Sequence, residues 1–346
     1  MWEFFYAPDQ WAYGIYKAVE TWGQSVGIPV SLIQLLLLIP VAVILLAFIF
    51  LNVMFLTWME RKVAGHIQVR YGPMRTGWHG LMQPVADAVK LLFKEPIALP
   101  GVDRFIYFLS PMFMFTMAMM VFIVIPFSPG WVVASLDYGL LFIFAVSGMS
   151  SFFVLAGGWC SNNKWSLLGA MRTVAQVIGY EVPLILSALG VALLAGSLNL
   201  TDIVASQKGM WNIVKQPLGF ILFLMASLAE ANRGPFDLEE AEQELVGGYL
   251  TEYSGMPFAM FYLGEYTHLL ASGAIITTLF LGGWQGPLLP PIIWFLIKCY
   301  AVIFIFMWIR WTYPRIRVDH LLQFNWKFVL PLALVNLGIT SLVLVL

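Results

Sequence analysis

Residues 30–58 read VSLIQLLLLIPVAVILLAFIFLNVMFLTW, an apolar run without one charged side chain. About 20 such residues suffice to cross roughly 30 Å of hydrocarbon at about 1.5 Å per residue. The run is therefore longer than a bilayer requires and, with Pro40 inside it, predicts a tilted or bent membrane-spanning helix. Working outward, comparable runs recur at approximately 105–127, 138–159, 174–196, 212–231, 258–281, 290–312 and 328–346. The expectation is an all-α integral membrane protein of about eight transmembrane helices, both termini on one side. Composition agrees: of 346 residues 60% are hydrophobic and 11% charged, against about 25% charged in soluble domains. Soluble enzyme folds are excluded. A net charge of -1, from 18 basic and 19 acidic residues, supplies no basic excess for nucleic acid.

The polar residues then organise the reading. Fourteen of the Lys and Arg residues, from Arg61 to Lys327, fall on one side of the expected spans, and only Lys17, Lys208 and Lys215 on the other. That asymmetry places the long connections on the cytoplasmic or matrix face and both termini outside. Residues 1–29 lack the basic start of a signal peptide and carry Trp2, Phe4, Phe5, Tyr6, Trp11, Tyr13 and Tyr16, a composition suited to an interfacial segment. Cys160 and Cys299 stand far apart, without companion Cys or His spacing, so no iron–sulfur or zinc site can be built from them. They are expected to be small buried side chains. One membrane domain over residues 1–346 is expected.

Two connections, 59–104 and 232–257, are too long and polar to be mere linkers. The first contains an amphipathic helix whose polar stripe is Gln83, Asp87, Lys90 and Lys94, bounded by Pro84 and Pro96. Either that stripe rests in water beside the lipid surface, or it faces an enclosed cavity; the neighbouring Glu60-Arg61-Lys62 and Arg70-Tyr71-Gly72-Pro73 favour the cavity. The second connection opens with Glu230 and runs through Asp237, Glu239, Glu240, Glu242 and Glu244 to Glu252-Tyr253. Carboxyls repeating at i,i+3 and i,i+4 repel one another, and beside a low-dielectric wall some are expected to hold protons near neutral pH. A solvated acidic face is the plainer alternative.

Four ionisable residues fall inside expected spans: Glu181, Glu265, His268 and Lys298. Ions near mid-bilayer cost about 2.5–3.5 kcal/mol on insertion scales, so they normally face a bundle interior. Glu265 and His268 share a helix face at i,i+3. Carboxyls running from the acidic loop through Glu230 to Glu181 and Glu265 have the composition of a proton relay, while each alone could be a structural hydrogen bond. Lys298 could extend its amine toward an interface.

These residues resemble a known family. Glu60-Arg-Lys-Val-Ala-Gly-His-Ile-Gln-Val-Arg70-Tyr-Gly-Pro73, Leu81-Met-Gln-Pro-Val-Ala-Asp87-Ala-Val-Lys90, Leu228-Ala-Glu230-Ala-Asn-Arg-Gly-Pro-Phe-Asp237, Glu244-Leu-Val-Gly-Gly and Glu252-Tyr-Ser-Gly are similar to the H-type membrane subunits of NADH:quinone oxidoreductases, the counterpart of subunit 1 in respiratory complex I. The likeness covers essentially the whole chain. It implies a heel subunit that encloses a quinone chamber with peripheral-arm subunits, contacts membrane-arm subunits and lipid, and couples quinone reduction to proton translocation. It implies no cofactor on this chain: quinone is the substrate, and FMN and iron–sulfur clusters belong to partner subunits. Carried over by position, the chamber corresponds to Arg61, Lys62, Gln68, Arg70, Asp87, Lys90, Arg233 and Phe236. The proton path corresponds to Glu181, Glu230, Asp237, Glu240, Glu242, Glu265 and Tyr266. The expected location is a bacterial plasma membrane, with an organelle membrane as the alternative. Competing readings are the homologous subunit of a membrane-bound hydrogenase, F420H2 or ferredoxin-linked complex, a proton-coupled secondary transporter, which would call for an internal repeat the chain lacks, and a structural scaffold.

Overall fold

The computed structural model describes residues 30–237 and 246–345, with side chains described from residue 39 onward. The interfacial reading of 1–29, and Glu240 and Glu242, therefore lie outside the described residues. The described chain is helical, with no strand: α1 Val30–Ile67, α2 Gln83–Phe93, α3 Arg104–Met120, α4 Gly139–Cys160, α5 Lys164–Ala195, α6 Leu200–Ala205, α7 Asn212–Lys215, α8 Pro217–Glu230, α9 Gly255–Phe280, α10 Pro291–Thr312, α11 Val318–Phe324 and α12 Leu330–Val345. A single π-helical turn, Asn325–Val329, joins the last two.

Six helical segments are long and apolar enough to cross a membrane: Ile39–Ile67, Arg104–Ile123, Gly139–Cys160, Lys164–Ala195, Pro291–Thr312 and Val318–Val345. The other two expected spans take different forms. The run expected at 212–231 is divided, because the short helix α7 ends at Lys215 and, after the non-helical Gln216, Pro217 restarts the chain as the 14-residue α8. The run at 258–281 is α9, 26 residues long, which is absent from the six; it carries Glu265 and His268. Its polarity is tolerated because it stands at the centre. Twenty of its residues are buried, and α1, α2, α3, α8 and α10 pack around it.

Where lipid supplies no hydrophobic drive between helices, close backbone approach does the joining. Gly158 of α4 lies against Ala170 and the Ser166 carbonyl of α5, where an added Cβ would have no room. α5 begins early because Asn163 caps it, its side-chain oxygen accepting the Trp165 N–H at 3.0 Å. Pro40 and Pro183 both sit inside continuous helices. Pro183 has no N–H to offer the Gly179 carbonyl four residues back, and the Asn325 side chain donates to that carbonyl at 2.5 Å. The donor comes from the π-helical turn, so the backbone gap in α5 is filled from the last segment of the chain.

Candidate functional site

α1 does not stop where its apolar run ends. It continues through Glu60, Arg61 and Lys62, and these three residues point in three directions. Glu60 turns inward and is 5% exposed. It forms an ion pair with Arg310 of α10, lies 3.7 Å from Arg233, and accepts the Tyr266 hydroxyl of α9 at 2.6 Å. The Arg233 guanidinium stacks 4.4 Å from the Tyr266 ring centroid. Arg310 also lies 3.9 Å from Asp237, which Arg315 meets at 3.1 Å. Three guanidinium groups and two carboxylates thus share one cluster, buried at Glu60, Asp237 and Arg233 and open to the surface at Arg315. Sequence reading places Arg233 with the chamber and Asp237 and Tyr266 with the proton path; in space all three belong to this cluster.

Arg61 points the other way, to Asp87 of α2 at 2.6 Å, and Gln83 donates to the second Asp87 oxygen at 3.0 Å. This ion pair stands at the edge of a cavity of about 310 Å³ lined by Val53, Leu91, Phe115, Met260 and Tyr262, among others. The helix α2 contributes Pro84, Asp87, Ala88, Leu91 and Leu92, one face at i, i+3, i+4, i+7 and i+8. This corrects the polar-stripe expectation. The face toward the cavity is largely apolar with Asp87 its single charge, while Lys90 and Lys94 are exposed. The walls are hydrocarbon, so apolar residues turn to them and the lysines remain in water.

The remaining chamber candidates are elsewhere. Lys62 lies on the outer side of α1, and Gln68 and Arg70 are exposed beyond its end, the Arg70 Nε donating to Gln68 at 2.7 Å. Phe236 is buried with its ring 5.6 Å from that of Tyr180. Sequence reading passes over two residues here, one that links the cavity to the cluster and one that belongs to the cluster itself. Tyr262 lines the cavity and donates to the Tyr266 hydroxyl at 3.1 Å, and Tyr266 in turn donates to Glu60. Tyr262 and Tyr266 are spaced i,i+4 on α9, a signal present in the sequence. The other is Arg310, which in the sequence counts only toward orientation.

A second polar set occupies another face of α9, about 100° round the helix from the first. Glu265 accepts the Tyr249 hydroxyl at 2.9 Å. It lines a small cavity of about 20 Å³ together with Glu230, His268, Ser150, Ser151 and Thr173, a volume sufficient for one water molecule. Glu230 has Ser147 as a hydrogen-bonding neighbour and Glu181 as a neighbouring like charge. The Glu181 carboxyl packs against Gly148: a Cβ there would lie 2.6 Å from its Oε1 and push it aside. Glu230 thus lies beside both Glu181 and, across the small cavity, Glu265. His268, whose buried Nε2 has no hydrogen-bond partner among the described residues, joins them. Beside this set Tyr253 donates to the Gly157 carbonyl at 3.2 Å, and burial pushes its phenol far above the ordinary value, keeping it a neutral donor.

Lys298 has a structural role. Its Nζ donates to the carbonyls of Leu281, Gly283 and Gln285 at 2.6, 3.1 and 2.6 Å and lies 4.4 Å from the Trp211 ring. It caps the C-terminal end of α9, where carbonyls point outward and favour a cation. Among the described residues no three His, Cys, Asp or Glu side chains converge as metal ligands.

A protein-family model described as NADH dehydrogenase matches residues 40–341. The chain is 50% identical over 299 residues to the H-type subunit of NADH-quinone oxidoreductase from Dehalococcoides mccartyi (strain CBDB1), covering 86% of this chain and 84% of the relative. It is 46% identical over 332 residues to the counterpart of the same name from Carboxydothermus hydrogenoformans, covering 95% of each. With the family matched over nearly all of its length and the helical membrane architecture in place, the chain belongs to the NADH dehydrogenase family.

Proposed function

We propose that this chain is the membrane subunit of a bacterial NADH:quinone oxidoreductase that holds the quinone beside Arg61 and Asp87 and couples its reduction to proton movement through the carboxyls of α5, α8 and α9. The observation that carries the reading is the apolar cavity between α1, α2 and α9, whose polar groups are one ion pair, Thr57 and Tyr262. An isoprenoid quinone asks for such a site: hydrocarbon walls for the tail, and a few hydrogen-bonding groups to orient the ring. Reduction to the quinol takes two electrons and two protons. The electrons come from a partner subunit bearing iron–sulfur clusters and fed by FMN. Tyr262, Tyr266 and Glu60 form a hydrogen-bonded line from the cavity to the buried arginine cluster, so a charge change at the quinone is felt there at short range.

The carboxyl set on the neighbouring face of α9 is the other half of the coupling. Glu230 has Glu181 as a neighbouring like charge and shares a small cavity with Glu265, so a proton gained or lost at Glu230 is expected to alter both neighbours. The test is NADH-driven quinone reduction by the complex purified from its native membrane. Leu91→Trp, which fills the cavity, is expected to raise KM for quinone with assembly intact. A chain that purifies alone, or an unchanged KM, overturns the reading.

A further inference from the structure

Its sequence neighbours group Lys62 with the quinone chamber, yet it lies in a different groove. That groove has a volume of about 490 Å³ and runs along the outside of the molecule between α1 and α10, lined by Lys62, Val63, His66 and Ile67 with Phe304 and Trp308, and Met59 at its deep end. The α1 residues recur at i, i+3, i+4, i+7 and i+8, one helix face. From residue 59 to residue 67 that face extends about 12 Å along the helix axis. Ile67, Phe304 and Trp308 are 41%, 46% and 58% exposed, so the groove opens outward and not into the bundle.

Its charge is one-sided. Among the described residues no carboxylate pairs with Lys62, whereas Arg61, Arg233, Arg310, Arg315 and Arg317 all have acidic partners. The Lys62 ammonium instead donates to the Met74 sulfur at 3.1 Å and lies 5.9 Å from the Trp58 ring, two weak acceptors for a full charge. His66 spends its Nδ1–H on the Lys62 carbonyl at 2.8 Å, leaving Nε2 as the ring nitrogen clear of the helix backbone. Among the described residues none that lines the groove is acidic. Its place is the basic end of two membrane-spanning helices, with an indole at the level where aromatic side chains meet headgroups.

We propose that this groove is a binding site for an anionic phospholipid with a hydroxylated headgroup, the phosphate meeting the Lys62 ammonium, a headgroup hydroxyl donating to the His66 Nε2, and one acyl chain lying along Val63, Met59 and Phe304. Cation above and hydrocarbon below is the pattern such a lipid presents in reverse. The proposal rests on the membrane architecture alone and stands whether or not the quinone reading does.

The complex is reconstituted into bilayers containing phosphatidylglycerol or phosphatidylcholine, each bearing a diazirine on one acyl chain, and labelled peptides are mapped by mass spectrometry. Peptides covering Met59–Ile67 and Phe304–Trp308 are expected to be labelled at least about fivefold more by phosphatidylglycerol, the factor expected from about one basic side chain at an anionic surface. The double variant Lys62→Gln with His66→Gln is expected to bring the two lipids to parity, and Lys62→Arg to keep the preference. Equal labelling of the wild-type complex by both lipids would mark ordinary boundary lipid and overturn the proposal. So would absence of label because another subunit covers the face, or a preference that survives the double variant.

Discussion

Replacing Glu60 by alanine removes the anion that holds together groups from α1, α9, α10 and the loop after α8. At an effective dielectric of about 20, unit charges about 4 Å apart attract by roughly 4 kcal/mol; Arg233 sits at 3.7 Å and Arg310 closer. Taking one partner from a buried pair typically costs about 3–5 kcal/mol, because the other charge stays buried. Asp237, 3.9 Å from Arg310, remains beside that guanidinium when Glu60 is gone. Glu60→Ala is therefore expected to destabilise the subunit by about 3–5 kcal/mol. Glu60→Gln likewise removes the anion, but it fills the same space and keeps an oxygen for the Tyr266 hydroxyl and for Arg310, so its loss is expected to be about 1–2 kcal/mol smaller than that of alanine. Arg315→Ala, at a residue whose side chain is 47% exposed, is expected to cost about 1 kcal/mol or less. The assay is denaturation of the purified complex in mixed micelles, followed by exposure of the Cys160 and Cys299 thiols, both buried in the native chain. A loss under about 1 kcal/mol for Glu60→Ala, or equal losses for Ala and Gln, would refute the account of the cluster.

Three further outcomes are expected. Glu230→Gln and Glu181→Gln should lower proton translocation per quinone reduced with assembly unchanged, read by proton uptake in proteoliposomes; full coupling in both would remove the carboxyls from the path. Gly148→Ala should do the same without touching a carboxyl, because the added methyl displaces the Glu181 Oε1, and an unaltered pumping ratio would show that its position is not critical. Asn325→Leu should destabilise by about 1–3 kcal/mol, since the Gly179 carbonyl freed by Pro183 loses its donor; the same thiol-exposure assay measures it.

The apolar runs were legible because hydropathy is a local property and a helix needs nothing else to cross lipid. Their ends were not. α1 runs on to Ile67 because the Glu60 charge is met by Arg310, 250 positions away in the chain, a pairing that no local pattern announces. The shared face of Glu265 and His268 followed from helical spacing, and both line the same small cavity. The orientation of α2 was misjudged by the same kind of reasoning. Polarity singled out Gln83, Asp87, Lys90 and Lys94, but a hydrocarbon-walled cavity selects the apolar face, and only Asp87 belongs to both. Arg61 and Lys62 show the limit of motif reading: adjacent residues of one motif project from a helix about 100° apart and end in separate grooves.

Glu265 and Tyr266 are also adjacent, and they divide the two polar sets between them. One touches the carboxyl side and the other the arginine side of the same central helix. A small roll or slide of α9 as a rigid rod would carry both side chains together, tightening contacts on one flank as it loosens them on the other. Mechanical transmission across the bundle then requires no unbroken wire of hydrogen bonds, only a helix stiff enough to move as one piece, and the Lys298 clamp at its far end is the natural fulcrum for that lever.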